Sequence, residues 1–197
     1  MSKVLSALSV SVDGFITGRE PGPGHGLGDG GTLFDWYTSG DVRSQEFDFF
    51  HLSAASARIF DSLASRVGAS LAGRKTYEDS ERFGGGGPHP TAPLVVVSHR
   101  PIPEASSAQT VITTGIEDAV AAAKKVAGDK GVALMGGGVV TTALAAGLVD
   151  ELVLHQVPVL LGAGRPYFQE LPHHIRLRLI EAVPAPGVTH LHYAVEN

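Results

Sequence analysis

Val132-Ala133-Leu134-Met135-Gly136-Gly137-Gly138-Val139-Val140-Thr141-Thr142-Ala143-Leu144-Ala145-Ala146-Gly147 is the stretch that decides the fold. Val132 to Met135 predicts a buried strand, the three glycines a tight turn, and Val139 to Ala146 a helix with Gly147 at its end. The same pattern occurs upstream. Ala69-Ser70-Leu71-Ala72 predicts a short strand, and Gly73-Arg74-Lys75-Thr76 a turn into a short helix ending near Phe83. Leu94-Val95-Val96-Val97-Ser98 is the continuous β-branched run of a central strand. Thr110-Val111-Ile112 predicts another strand. Ile116 to Val126 is an Ala-rich helix whose Lys124 and Lys125 suit the negative end of the helix dipole. Strand and helix alternate, which implies parallel strands joined by right-handed crossovers.

Outward from this middle, Lys3 to Val10 predicts an opening strand that turns out of the sheet through Ser11-Val12-Asp13-Gly14-Phe15. A long Gly-rich loop runs from Gly18 to about Gly40, and Phe34, Trp36 and Tyr37 near its end predict that it packs down. Ser44 to Ser65 has helical character: Phe47, Phe50, Ala54, Ala57, Phe60 and Leu63 approximate one apolar stripe, with Gly68 as a stop. Gly84 to Gly87, Pro88 and Pro90 form a flexible connection. Glu151 to Gln156 is a strand. Leu177 to Val183 and Val188 to Val195 are two more, joined tightly through Pro184, Pro186 and Gly187 as an antiparallel pair. The expectation is one α/β domain over residues 1–197.

Composition narrows the function. The 197 residues are 43% hydrophobic and 18% charged with a net charge of −5, which supports a real core and disfavours nucleic acid as a partner. The absence of cysteine removes disulfides, thiolate catalysis and Cys-ligated zinc. The N-terminus does not read as a signal peptide, and no apolar run approaches a bilayer span, so a cytoplasmic protein is expected.

Three segments are competent to hold phosphate. Gly73-Arg74-Lys75-Thr76 opens a helix, where unpaired amides attract anions, although a basic loop with a Thr cap would look the same. Gly136-Gly137-Gly138 has the same placement but matches neither a Rossmann fingerprint nor a P-loop, and a structural turn is the plainer alternative. Ser98-His99-Arg100 follows the Val-rich strand, where Arg100 would meet an adenosine 2′-phosphate. One extended dinucleotide would use all three. His190 and His192 share a strand face but lack a third ligand, so a packed pair is the better reading and no metal is expected. No G-x-S-x-G element anchors a hydrolase triad.

The chain resembles the riboflavin-biosynthesis reductase C-terminal domain family, within the dihydrofolate-reductase-like superfamily. The carrying segments, in order, are Ser9–Ile16, Gly73–Glu78, Val95–Ser98, Met135–Gly138, Leu148–Leu152 and Pro158–Gly164. The resemblance implies a three-layer α/β/α fold with a mostly parallel central sheet and antiparallel C-terminal strands. It implies NADPH as hydride donor, with Gly73, Arg74, Lys75 and Thr76 at its phosphates and Ser98 and Arg100 at the 2′-phosphate. Met135, Gly136, Gly137, Gly138, Val139 and Val140 would pass beneath the pyrophosphate. Asp13, Leu161, Gly162 and Gly164 would lie near the nicotinamide or the substrate, with Phe15 and Trp36 walling the pocket. Asp13 or a bound water is the expected proton donor, and a homodimer built on sheet strands is expected. The chain has no zinc-deaminase motif, and Glu46, Asp48 and Asp61 compete for the helix carboxylate of a folate reductase. The implied reaction is hydride transfer to a C=N or C=O carbon of a small polar compound. A folate or pterin reductase, a non-catalytic nucleotide-binding module and a deazaflavin-dependent reductase are the alternatives.

Overall fold

The computed structural model describes residues 2–196. An eight-stranded sheet organises it. The strands are β1 (Val4–Ser11), β4 (Val67–Gly73), β5 (Leu94–Val97), β6 (Gln109–Ile112), β7 (Gly131–Met135), β8 (Glu151–Val157), β9 (Arg176–Ala185) and β10 (Val188–Glu196), in the order β6-β5-β4-β7-β1-β8-β10-β9. The pairs from β6 to β8 are parallel; β10 runs antiparallel to both β8 and β9. The parallel middle and antiparallel end expected from the alternation are therefore present. A separate small hairpin joins β2 (Val42–Arg43) to β3 (His51–Leu52).

Alternation along the strands assigns the layers. Val4, Val10, Ala69, Leu71 and Val95 point to one face, where α3 (Ile116–Ala127) and α4 (Gly137–Ala145) cover them through Ala119, Val120, Ala123 and Val140. Ala7 and Val153 point to the other face against Ile59 and Leu63 of α1 (Ala54–Ala64). On that same face Ala72, Leu94 and Val96 receive Tyr77 of α2 (Arg74–Asp79), whose hydroxyl donates to Gln109 Oε1 at 2.9 Å.

Ser44 to Ser65 is not one helix. Ser53 caps α1, its hydroxyl accepting from the amide of Ser56 at 3.2 Å. Upstream, Ser44 Oγ accepts from the amides of Glu46 and Phe47, and the Ser44 amide donates to Phe50 O at 3.0 Å. That local bonding competes with helix formation. Phe47 and Phe50 still reach the ring of Phe60, at 5.3 and 5.5 Å, but from a turn rather than a shared helical face. Gly68 lies inside β4, where a Cβ would crowd the carbonyl of Ala127. The helix after Gly73 stops at Asp79 rather than near Phe83, because Glu81, Arg82 and Phe83 take left-handed φ values of 49°, 59° and 51°. The Gly-rich loop packs down as expected. Its 3₁₀ segment Gly28–Thr38 buries Leu33 and Trp36, and the indole N–H of Trp36 donates to Ser9 Oγ at 2.9 Å.

Candidate active site

Six parallel strands end on one rim, and the register makes three of those ends adjacent: Gly73 stands opposite Val97 and Ala72 opposite Met135. Gly73 and Gly136 are tightly enclosed. A Cβ on Gly73 would lie 2.9 Å from Val139 Cγ2, while Gly136 has φ +96° and its Cβ would overlap Thr76 Oγ1. Gly73–Thr76 and Gly136–Val140 therefore form one surface. Gly137 is pressed against the carbonyls of Pro166 and Tyr167, whereas a Cβ on Gly138 would meet only Gln169 Nε2 at 3.7 Å. No side chain caps α4, so the amides of its first turn have no helical partner there. Such an end accepts an anion.

The cations around it differ in freedom. Arg74 is held by Glu78 at 2.7 Å and by the carbonyl of Pro101. Lys75 is exposed, 3.9 Å from Asp79. Arg100 is exposed; Ser98 Oγ accepts from its amide at 3.3 Å and donates to its carbonyl at 2.6 Å. That turn places Arg100 just past the end of β5, at the rim.

The β1 and β8 ends carry the other predicted group. Asp13 accepts from Ser11 Oγ at 2.5 Å and from the amides of Leu161 and Gly162 at 3.1 and 2.7 Å. The Ser11 hydroxyl, opposed by burial and joined by these amides, holds the carboxyl below its ordinary range. Asp13, expected from the sequence as a proton donor, serves as acceptor for three donors and pins the turn at Leu161-Gly162. Gly164, at φ +138°, lets the backbone of Thr17 come close, since a Cβ would overlap the Thr17 carbonyl. Phe15 forms an isolated bridge with Pro166.

Beside this rim, on the α1 face, lies a cavity of about 520 Å³. Phe34, Tyr37, Phe47, Phe49, Phe50 and Phe60 wall it; Ala7 and Ser9 of β1 and Ala133 and Met135 of β7 form its floor. Met135 immediately precedes Gly136, so the cavity opens beside the glycine turn. Tyr37 stacks between Trp36 at 4.0 Å and Phe50 at 4.3 Å, and burial, against a hydrogen bond with Ser9, pushes its hydroxyl up to about 12.

None of the expected substrate-side residues lines this cavity. Trp36, 1% exposed, is a core residue behind it rather than a wall, because its indole N–H is tied to Ser9 and its ring packs on His155 at 5.0 Å. Phe15, Leu161, Gly162 and Gly164 sit on the neighbouring rim. The cavity holds no carboxylate. Asp61, on α1, accepts instead from Ser44 Oγ and the amide of Gln45, and Asp48 pairs with Arg43. His89 and His155, both on the lining, were not expected. The signal for His155 was present as one imidazole in the apolar run Leu152-Val153-Leu154.

A family model described as the RibD C-terminal domain matches residues 2–191. No curated protein matches the chain. Among solved structures, a Shewanella sp. PV-4 protein ascribed to riboflavin biosynthesis is similar with a TM-score of 0.74 at 22% identity, covering 100% of both chains. A pyrimidine reductase-like protein from Corynebacterium diphtheriae superposes with a TM-score of 0.63 at 16% identity, over 100% of this chain and 92% of the other. Dihydrofolate reductase from Enterococcus faecalis, complexed with NADP(H) and RAB-propyl, gives 0.62 at 15% identity, over 99% and 97%. The architecture is thus dihydrofolate-reductase-like.

Proposed function

Because the chain belongs to the RibD C-terminal domain family, we propose that it is a reductase that uses NADPH to reduce a C=N or C=O group of a small molecule held in the aromatic cavity. The observation that carries this reading is the meeting of Gly73–Thr76 and Gly136–Val140 at adjacent strand ends, with no room for a Cβ on either Gly73 or Gly136. Backbone that close and that bare fits a pyrophosphate, with the open Gly138 and the uncapped first turn of α4 facing it.

NADPH, when bound, supplies the hydride. The chain's residues do the rest. Gly73–Thr76 and Gly136–Val140 hold the phosphates, and Ser98 and Arg100 meet the 2′-phosphate. Asp13 fixes the Leu161-Gly162 turn at the nicotinamide end. The six aromatic walls orient the substrate ring and exclude water. The free edge of β9 exposes Leu177, Leu179 and Ile180, which supports a homodimer formed along that strand. Among the described residues no helix is long and apolar enough to cross a membrane.

Calorimetric titration with NADPH and NADH tests the reading. The wild type prefers NADPH, and Arg100→Ala loses about tenfold of that preference while its NADH affinity stays the same. Equal, weak binding of both dinucleotides by the wild type overturns it.

A further inference from the structure

Six polar side chains line the cavity: the hydroxyls of Ser9, Tyr37, Thr38 and Ser70, and the rings of His89 and His155. His89 has both nitrogens occupied: Nε2 lies 3.2 Å from the carbonyl of Ala64, and Nδ1 accepts from the amides of Thr91 and Ala92. His155 differs. Its Nδ1 lies 2.8 Å from His190 Nδ1, and its Nε2 has no protein partner. Among the described residues no sealed side-chain nitrogen or oxygen lacks a partner. Nε2 therefore faces open space, and the open space beside His155 is the cavity.

The hydrogen bonds behind His155 allow a relay that puts its proton on Nε2. Ser53 Oγ donates to Ser56 Oγ at 3.0 Å. The Ser56 hydroxyl proton is then left for His190 Nε2, 3.0 Å away. A neutral His190 so engaged carries its proton on Nδ1 and donates it to His155 Nδ1. The proton of His155 is then on Nε2, aimed at the cavity. Burial favours the neutral form of both rings and lowers both below the ordinary imidazole range.

The lining has a second property. It contains no Asp, Glu, Lys or Arg. A phosphate or carboxylate placed there would lose its hydration with no positive charge to replace it.

We propose that the cavity takes an uncharged, planar ring compound with a carbonyl or imine on its edge, and that His155 Nε2–H is the proton donor to that group. This rests on the reading of the cavity as the substrate pocket and goes beyond it in naming the class. In the step, the carbonyl carbon gains a hydride from the reduced nicotinamide, which is oxidised. The C=O π bond breaks, and the oxygen takes its electron pair together with the proton from His155 Nε2. His155 Nδ1 receives the His190 Nδ1 proton, His190 Nε2 that of Ser56, and Ser56 that of Ser53. Ser53, half-buried at the start of α1, is resupplied by water. Every residue of the relay ends neutral, and the net reactants are one hydride and one solvent proton.

Isatin and isatin-5-sulfonate share one planar carbonyl ring system and differ by one charge. The protein has no cysteine to form adducts with either. Calorimetry on the cofactor-free wild type gives isatin binding at least about tenfold tighter than the sulfonate, and isatin shifts the His155 ring nitrogen signals in ¹⁵N NMR. His155→Leu lowers kcat for NADPH-dependent isatin reduction by about 10²-fold with the NADPH Kd unchanged. Ser56→Ala lowers kcat without changing the isatin Kd. Failure of isatin to bind, sulfonate binding as tight as isatin, or an unmoved His155 resonance overturns the proposal. Wild-type turnover in His155→Leu does so too. If NADPH fails to bind while isatin binds and moves His155, the cofactor reading falls and the cavity assignment stands. If NADPH binds and the sulfonate rivals isatin, only the cavity assignment falls.

Discussion

At the rim, the groups proposed to face the cofactor are backbone amides, presented by Gly73 at the end of its strand and Gly136 directly after its own. In the adjoining cavity they are rings, delivered by residues 34 to 60 and completed by His155 from the far half of the chain. The first surface depends on the absence of side chains and the second on their bulk. A single added methyl group should therefore act oppositely in the two. Gly136→Val gives the largest effect. Its Cβ meets Thr76 Oγ1 and its backbone is held at φ +96°, a region β-branched residues avoid. NADPH binding is lost beyond about 10²-fold, since a misplaced turn removes several amides at once. Isatin affinity of the cofactor-free protein changes little. Loss of both affinities together would erase the distinction between the regions.

The two regions were also unequally legible. Gly73, Gly136 and the strands before them form a local pattern, so strand, turn and helix could be read from a dozen consecutive residues and their adjacency inferred from parallel topology. The aromatic walls came from an irregular segment. Phe47 and Phe50 mimic a helical stripe with Phe60, and only the side-chain bonding of Ser44 and Ser53 reveals that α1 starts at Ala54. Asp13 was read as a substrate-side group and proton donor through the family resemblance. Its three donors come from Ser11 and from a loop nearly 150 residues away, which spacing alone cannot disclose.

Phe60→Ala is the converse change. The ring packs on Tyr37 at 5.6 Å and Phe47 at 5.3 Å, so its removal costs about 3 kcal/mol of stability and weakens isatin binding. Urea unfolding and calorimetry measure the two effects, and the NADPH Kd remains at its wild-type value.

Glu151 lies at the opposite end of β8 from the rim and serves as a control for both regions. Burial alone would raise its pKa, but Lys3, Arg66 and His192 bond to it and bring it down to about 2. A depressed carboxyl stabilises the fold above its unfolded value. Its contribution is therefore complete above pH 4.5 and is lost as pH falls toward about 2. Glu151→Gln costs about 2 kcal/mol at neutral pH and flattens the acid limb of the stability curve. Neither ligand affinity changes.

The smallest effect belongs to Asp13, on the rim beyond the end of β1. A residue that supplies the reaction's proton loses about 10²-fold in kcat when it can no longer ionise. A residue that only pins a turn loses far less, because an Asn in its place keeps one acceptor oxygen for one of the two amides of Leu161 and Gly162. Asp13→Asn should thus keep kcat within about threefold of wild type, with a modest rise in KM as the Leu161-Gly162 turn loosens. Single-turnover reduction of isatin separates the two quantities. A hundredfold fall in kcat would return the proton donor to the rim and leave His155 with no chemical step to perform.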